Sequence, residues 1–150
     1  MPTHYVGTEA EVRALNLYIK LLRASNTLAD RVSPAISDGG LTISQFGVLE
    51  ALYHLGPLCQ KELGVKLLLS GGNITMVVNN LEKQGLVVRL KTGKDRRFVS
   101  VHLTWRGTEL VKQVFPRHLA QLVEAVAVLS PPEQDVLSRL CRRLGKQERT

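Results

Sequence analysis

Three groups of side chains in this 150-residue chain are of a type and spacing that could do chemistry. The first is a cluster of cations. Between Lys83 and Arg106 stand Lys83, Arg89, Lys91, Lys94, Arg96, Arg97 and Arg106 against one acid, Asp95, so this stretch carries +6 of a formal net charge of +7. Charge of one sign gathered this way suits a polyanion, because each cation can neutralise a phosphate and release its counterions. The second group is a run of short polar residues, Asn73, Thr75, Asn79 and Asn80, with Met76 and Lys83 among them. Asparagine is a poor helix former, and a merely solvated helix face more often carries Glu and Lys. Short amides and hydroxyls suit hydrogen bonds to base edges. The third is Cys59, with Glu62 three residues on. A thiol is a weak acceptor and a poor cap. A thiolate at a helix N-terminus gains reactivity, but the Glu62 carboxylate disfavours a second anion. Two readings of Cys59 therefore stand, a redox sensor and a small half-buried residue that fills space.

Other chemistries lack their residues. There is no GxSxG elbow, HExxH pair or GxGxxG loop. The histidines His4, His54, His102 and His118 have no ligand spacing with one another or with the cysteines. Leu69-Ser70-Gly71-Gly72-Asn73 resembles the signature of ABC transporter ATPases, but no GxxxxGK[ST] loop accompanies it. The expectation is a protein that is not an enzyme and takes no metal or cofactor. No apolar run approaches the roughly 20 residues of a membrane span, and the N-terminus lacks the order of a signal peptide. Cys59 and Cys141 form no disulfide framework. A cytoplasmic, non-membrane protein is expected.

The elements that must position these groups follow from capping signals and periodicity. Thr8-Glu9-Ala10-Glu11 is a capping box, predicting a helix through Val12, Leu15, Ile19, Leu22 and Ala29 that ends at Ser33-Pro34. Thr42-Ile43-Ser44-Gln45 opens a second helix, stopped by Gly56-Pro57. A short helix from about Gln60 to Leu68, a turn over Leu69–Asn73 and another helix follow. In the latter Ile74, Val77, Val78 and Leu81 form the buried stripe, and Asn73, Thr75, Met76, Asn79, Asn80 and Lys83 form the exposed face. Gly85 is its stop. The period then changes to two over Leu86–Leu90 and Phe98–Leu103, with Lys91–Arg97 as a basic loop between them, which predicts a hairpin. Thr104 caps a helix to about Val128 that contains Pro116, and Trp105 is read as a packing anchor where hairpin meets helix. Ser130-Pro131-Pro132-Glu133 starts a last helix that stops at Gly145, leaving a frayed tail.

Helix, tight turn, helix and basic hairpin make a winged helix-turn-helix. The expected fold is mostly α with a small β-hairpin wing, in a single domain. Residues 8–33 and 104–145 are expected to be dimerisation helices, and 41–103 the DNA-binding lobe. The expected DNA contacts are Ser70, Gly71 and Gly72, whose amides open a helix toward phosphate, the helix face already named, and Lys91, Lys94, Asp95, Arg96 and Arg97 in the wing.

Here the residues carry a resemblance. Leu41 to Gly107 resembles the MarR family of bacterial transcription regulators. Leu81-Glu82-Lys83-Gln84-Gly85-Leu86-Val87 is similar to that family's end of recognition helix and first wing strand. Asp95-Arg96-Arg97, with Val101-His102-Leu103-Thr104 and Gly107, resembles its DxR…LTxxG signature. The resemblance implies a homodimer built from the terminal helices and a pseudo-palindromic operator in double-stranded DNA. It implies that Arg97 enters the minor groove with Asp95 holding it, and that the protein is a repressor released by a small-molecule or oxidant effector. The Ser-Gly-Gly-Asn-Ile-Thr string is similar to regulators that respond to quinones or oxidants. Cys59 departs from the family, which more often has Ser or Thr there. Tyr18, Tyr53 and His54 have two readings, an effector pocket between dimer helices and DNA-binding lobe, or core. A winged-helix protein-interaction or dimerisation module without operator binding is the alternative function, and the charge of the wing opposes it.

Overall fold

Helix starts are set by local hydrogen bonds. In the computed structural model, which describes residues 4–67, 69, 71–91 and 98–149, three capping boxes sit at the three positions the sequence marks. At the first, the Glu11 amide donates to Thr8 Oγ1 (3.2 Å) and the Thr8 amide donates to Glu11 Oε2 (2.9 Å). The Thr8 amide, then its hydroxyl, holds the Glu11 carboxyl below its ordinary pKa. Thr42 with Gln45 and Ser130 with Glu133 close the same reciprocal pair.

The elements are α1 (Glu9–Asp38), α2 (Ile43–Leu55), α3 (Gln60–Leu67), α4 (Gly71–Lys83), β1 (Val87–Lys91), β2 (Val99–Leu103), α5 (Trp105–Val126) and α6 (Pro131–Lys146). The strands pair antiparallel with Val87 opposite Leu103, Arg89 opposite Val101 and Lys91 opposite Val99. Leu58, in the α2–α3 connection, adds a bridge to Val101 through two backbone bonds of 2.8 and 3.3 Å. Among the described residues no helix is long and apolar enough to cross a membrane.

The chain divides into two compact units, residues 33–119 and residues 1–32 with 120–150. In the first, α2, α3, α4 and the hairpin share one core. Phe46, Val48, Leu49, Leu63, Val78, Leu81, Val87 and Val101 are all at most 2% exposed, and Ile36 from α1 and Val111 and Val114 from α5 join them. The second unit is built differently. No residue of α6 is buried, and its apolar stripe of Val136, Leu137, Leu140 and Leu144 is uncovered, as are Leu17, Tyr18 and Leu22 on α1 and Val123 on α5.

Several sequence expectations need correction. α1 does not end at Ser33-Pro34 but continues to Asp38. The restriction on a residue before proline is a preference, and here the turn beyond it buries Ala35 and Ile36, each 1% exposed. Gly40, at φ 76°, ends the run. α4 begins at Gly71, so Gly71, Gly72 and Asn73 form its first turn and not a loop before it. α5 stops at Val126, two residues short of Val128. α6 passes through Gly145, and the left-handed residue is Gln147. Its side-chain amide donates to the Leu144 carbonyl (2.8 Å) and the Glu148 amide donates to the Arg143 carbonyl (3.0 Å), so these residues are tied, not frayed. Trp105 is 77% exposed and is not the packing anchor expected of it among the described residues.

Candidate nucleic-acid interface

The junction of α4, hairpin and α5 explains the LTxxG string physically. Gly85, at φ 72°, turns the chain out of α4. The Thr104 hydroxyl donates to the Gly85 carbonyl (2.7 Å), the Thr104 amide donates to the Leu86 carbonyl (3.1 Å), and the Gly107 amide donates to Thr104 Oγ1 (3.1 Å). One threonine thus caps α5 and ties the end of the hairpin to the end of α4. Gly107 is buried, and a Cβ there would run into the Leu86 carbonyl oxygen, a backbone atom that cannot rotate aside. Gly107→Ala is therefore expected to destabilise the fold by about 1–3 kcal/mol. Chemical denaturation with an unchanged m value and a lowered midpoint checks it.

α4 presents two opposite faces. Ile74, Val77, Val78 and Leu81 are buried, while Asn73, Thr75, Met76, Asn79, Asn80 and Lys83 are exposed. Gly71 and Gly72 open the helix, both exposed and with no atom near where a Cβ would stand. Lys91 ends β1 and is exposed. Thr92–Arg97 and Ser70 lie outside the described residues, and with them the expectations for Lys94, Asp95, Arg96, Arg97 and Ser70.

The sequence counts Arg89 only among the cations of the basic stretch from Lys83 to Arg106, and the structure turns it inward. Its Nε and Nη2 donate to Gln60 Oε1 (2.9 and 2.7 Å), Nη2 also donates to Asn79 Oδ1 (2.7 Å), and Nη1 pairs with Glu82 Oε1 (3.1 Å). The Glu82 carboxylate also accepts from the Arg89 amide (3.1 Å). The Arg89 side chain is 22% exposed. Gln60 and Glu82 are thus parts of this face that the sequence reading missed. The available signal was period two, since Arg89 shares a strand face with buried Val87.

The remaining candidates are dispersed. The Cys59 carbonyl accepts from the Leu63 amide, which places Cys59 at the start of α3 as expected. Its half-buried thiol donates to Glu62 Oε1 (3.1 Å). Tyr53 and His54 touch edge to face (5.2 Å) and His54 meets Phe115 (4.9 Å). Tyr18 lies in the other compact unit. All three candidates are exposed, so the core reading of them does not hold in this chain. Among the described residues no group of three or more His, Cys, Asp or Glu could hold a metal.

A second helix with a polar outer face, set after a short helix and turn and followed by a two-stranded hairpin, defines the winged helix-turn-helix class. A profile of the MarR family matches residues 39–97. The uncharacterised HTH-type transcriptional regulator YkoM of Bacillus subtilis is 38% identical over 138 residues, covering 91% of this chain and 90% of the relative. The HTH-type transcriptional regulator MhqR of the same organism is 36% identical over 89% of this chain and 92% of its own. The crystal structure of NadR in complex with 4-hydroxyphenylacetate superposes with a TM-score of 0.76 at 26% identity, over 99% of this chain and 100% of that one. The chain belongs to the MarR family of DNA-binding transcriptional regulators.

Proposed function

We propose that this protein is a homodimeric repressor that binds a pseudo-palindromic operator and is released by a small-molecule or oxidant effector. The observation that carries the reading is the two-faced α4, apolar and fully packed inside and amide-rich outside. Residues 41–103 form the DNA-binding lobe, and the helices in 8–33 and 104–145 pair two copies. The exposed face from Asn73 to Lys83 enters the major groove. The amides of Ser70, Gly71 and Gly72 meet a phosphate at the N-terminus of α4. Lys91, Lys94 and Arg96 neutralise phosphates flanking the site, and Arg97, oriented by Asp95, enters the minor groove. Arg97→Ala is then expected to weaken operator binding by about 1–3 kcal/mol. Lys94→Ala weakens operator and random duplex alike, as a phosphate contact does. Fluorescence anisotropy on both duplexes separates the two effects.

NadR binds a phenolic carboxylate, as its complex states. The Tyr53–His54–Phe115 ring group supports an aromatic effector here, and Tyr18 is a separate candidate contact. For Cys59, the hydrogen bond its thiol gives to Glu62 supports a structural role over oxidant sensing. The protein acts in the cytoplasm and catalyses no reaction. Selection of bound duplexes from a random pool tests the reading, repeated with phenolic acids, quinones and peroxide on the native chain and on Cys59→Ser, Tyr18→Ala and Tyr53→Ala. Failure to enrich any sequence overturns operator binding. A peroxide response that Cys59→Ser abolishes overturns the structural role of the cysteine.

A further inference from the structure

Two of the side chains on the outer face of α4 are not free to choose how they read DNA. Arginine only donates hydrogen bonds. Arg89 gives four of its five N–H groups to protein acceptors, two of them to Gln60 Oε1, one to Asn79 Oδ1 and one to Glu82 Oε1. Its direction as a donor fixes everything downstream. The Gln60 amide must turn its oxygen to Arg89, so its nitrogen faces the other way, where Nε2 donates to Thr75 Oγ1 (3.1 Å). The Thr75 hydroxyl then accepts a hydrogen bond from Gln60 and donates one to the Gly71 carbonyl (2.9 Å). The Asn79 amide must likewise turn its oxygen to Arg89, which leaves its two Nδ2 protons directed away. These orientations follow from the chemistry of a guanidinium and need no choice between flipped amides.

We infer that Arg89 and Gln60 are positioning residues that set the base preference of the recognition helix, turning Asn79 to face outward with its donor side and Thr75 to read through its methyl group. The inference rests on the reading of α4 as the major-groove helix. An asparagine free to present oxygen and nitrogen together pairs with adenine N6 and N7. With its oxygen held by a charged donor, Asn79 matches an edge of acceptors, guanine N7 and O6 or thymine O4, and meets donor against donor at adenine N6 or cytosine N4. Thr75, its one hydroxyl hydrogen used within the protein, cannot donate to a base, and its methyl group suits the thymine methyl.

The test is duplex selection with the full-length chain, followed by anisotropy titration of single-base variants of the selected site and of a random duplex. Asn79→Ala locates the position that Asn79 reads, where discrimination should fall about tenfold. The native chain should prefer guanine or thymine there. Arg89→Lys keeps the charge but not the fork that holds Gln60 and Asn79 together. It should flatten the preference at that same position by about fivefold or more, while affinity for random duplex stays within about twofold. Gln60→Met provides the same comparison if Arg89→Lys fails to fold by circular dichroism. The inference is overturned by adenine or cytosine at the Asn79 position, by an Asn79→Ala profile with no flattened position, or by a folded Arg89→Lys or Gln60→Met whose profile matches the native one. If the native chain selects no sequence at all, the proposed operator binding has failed instead.

Discussion

Removing residues 130–150 is expected to convert a dimer to a monomer and to weaken operator binding by about 100-fold or more. α6 buries none of its residues in the single chain, and Val136, Leu137, Leu140 and Leu144 are each 44–47% exposed. Covering a half-exposed side chain of that size contributes roughly 1 kcal/mol, and a two-fold interface counts each one twice. With Leu17, Tyr18, Leu22 and Val123 the gain reaches the range of the association cost. Once the copies separate, each lobe holds its half-site alone and loses the effective concentration that a linked partner supplies, worth roughly 10²–10⁴. Leu140→Glu should act in the same direction without shortening the chain, since a symmetric interface would then carry two unpaired carboxylates. Sedimentation equilibrium reads the assembly and anisotropy the affinity. A full-length chain that sediments as a monomer at micromolar concentration overturns the expectation.

Operator affinity should also fall by about 10³-fold between 50 and 200 mM monovalent salt. About six phosphate contacts per dimer, from Lys91, Lys94 and Arg96 of the two copies, give a slope near −5 in log K against log salt. Arg89 is left out of this count because Glu82 already neutralises it at 3.1 Å. Arg89→Lys therefore leaves the slope unchanged, whereas Lys91→Ala lowers it by about 1 for each contact removed. A protein-interaction module would bind duplex DNA weakly and show no operator-specific term at any salt. Titrations at four or more salt concentrations separate these outcomes.

What could be read from the sequence was local. Caps at Thr8, Thr42 and Ser130 need only residues three apart, and all three form. The stripe of α4 needs only a period, and its buried and exposed sets match the structure residue by residue. What could not be read was decided between elements. Pro34 stays helical because Ala35 and Ile36 find a core contributed by other helices. Trp105 is bulky and apolar, yet it stands largely exposed at the start of α5. Arg89 looks like Lys91 in a list of cations, and only the approach of α3 and α4 to β1 shows that it serves Gln60 and Asn79, 29 and 10 residues away.

Pro34 has a counterpart. α1 crosses between the two compact units at residues 32 and 33, and α5 crosses at 119 and 120. Each of these continuous helices carries a proline close to its crossing, Pro34 and Pro116. Neither ring nitrogen has a proton to give, so neither proline can donate the helical bond that any other residue would make at its place. A rod is most compliant where a rung is missing. Both connecting rods are therefore softened beside the joint they bridge, and the bending cost there is lower than in an unbroken helix. If the protein fits two half-sites as proposed, each of these two helices carries its give at a defined place.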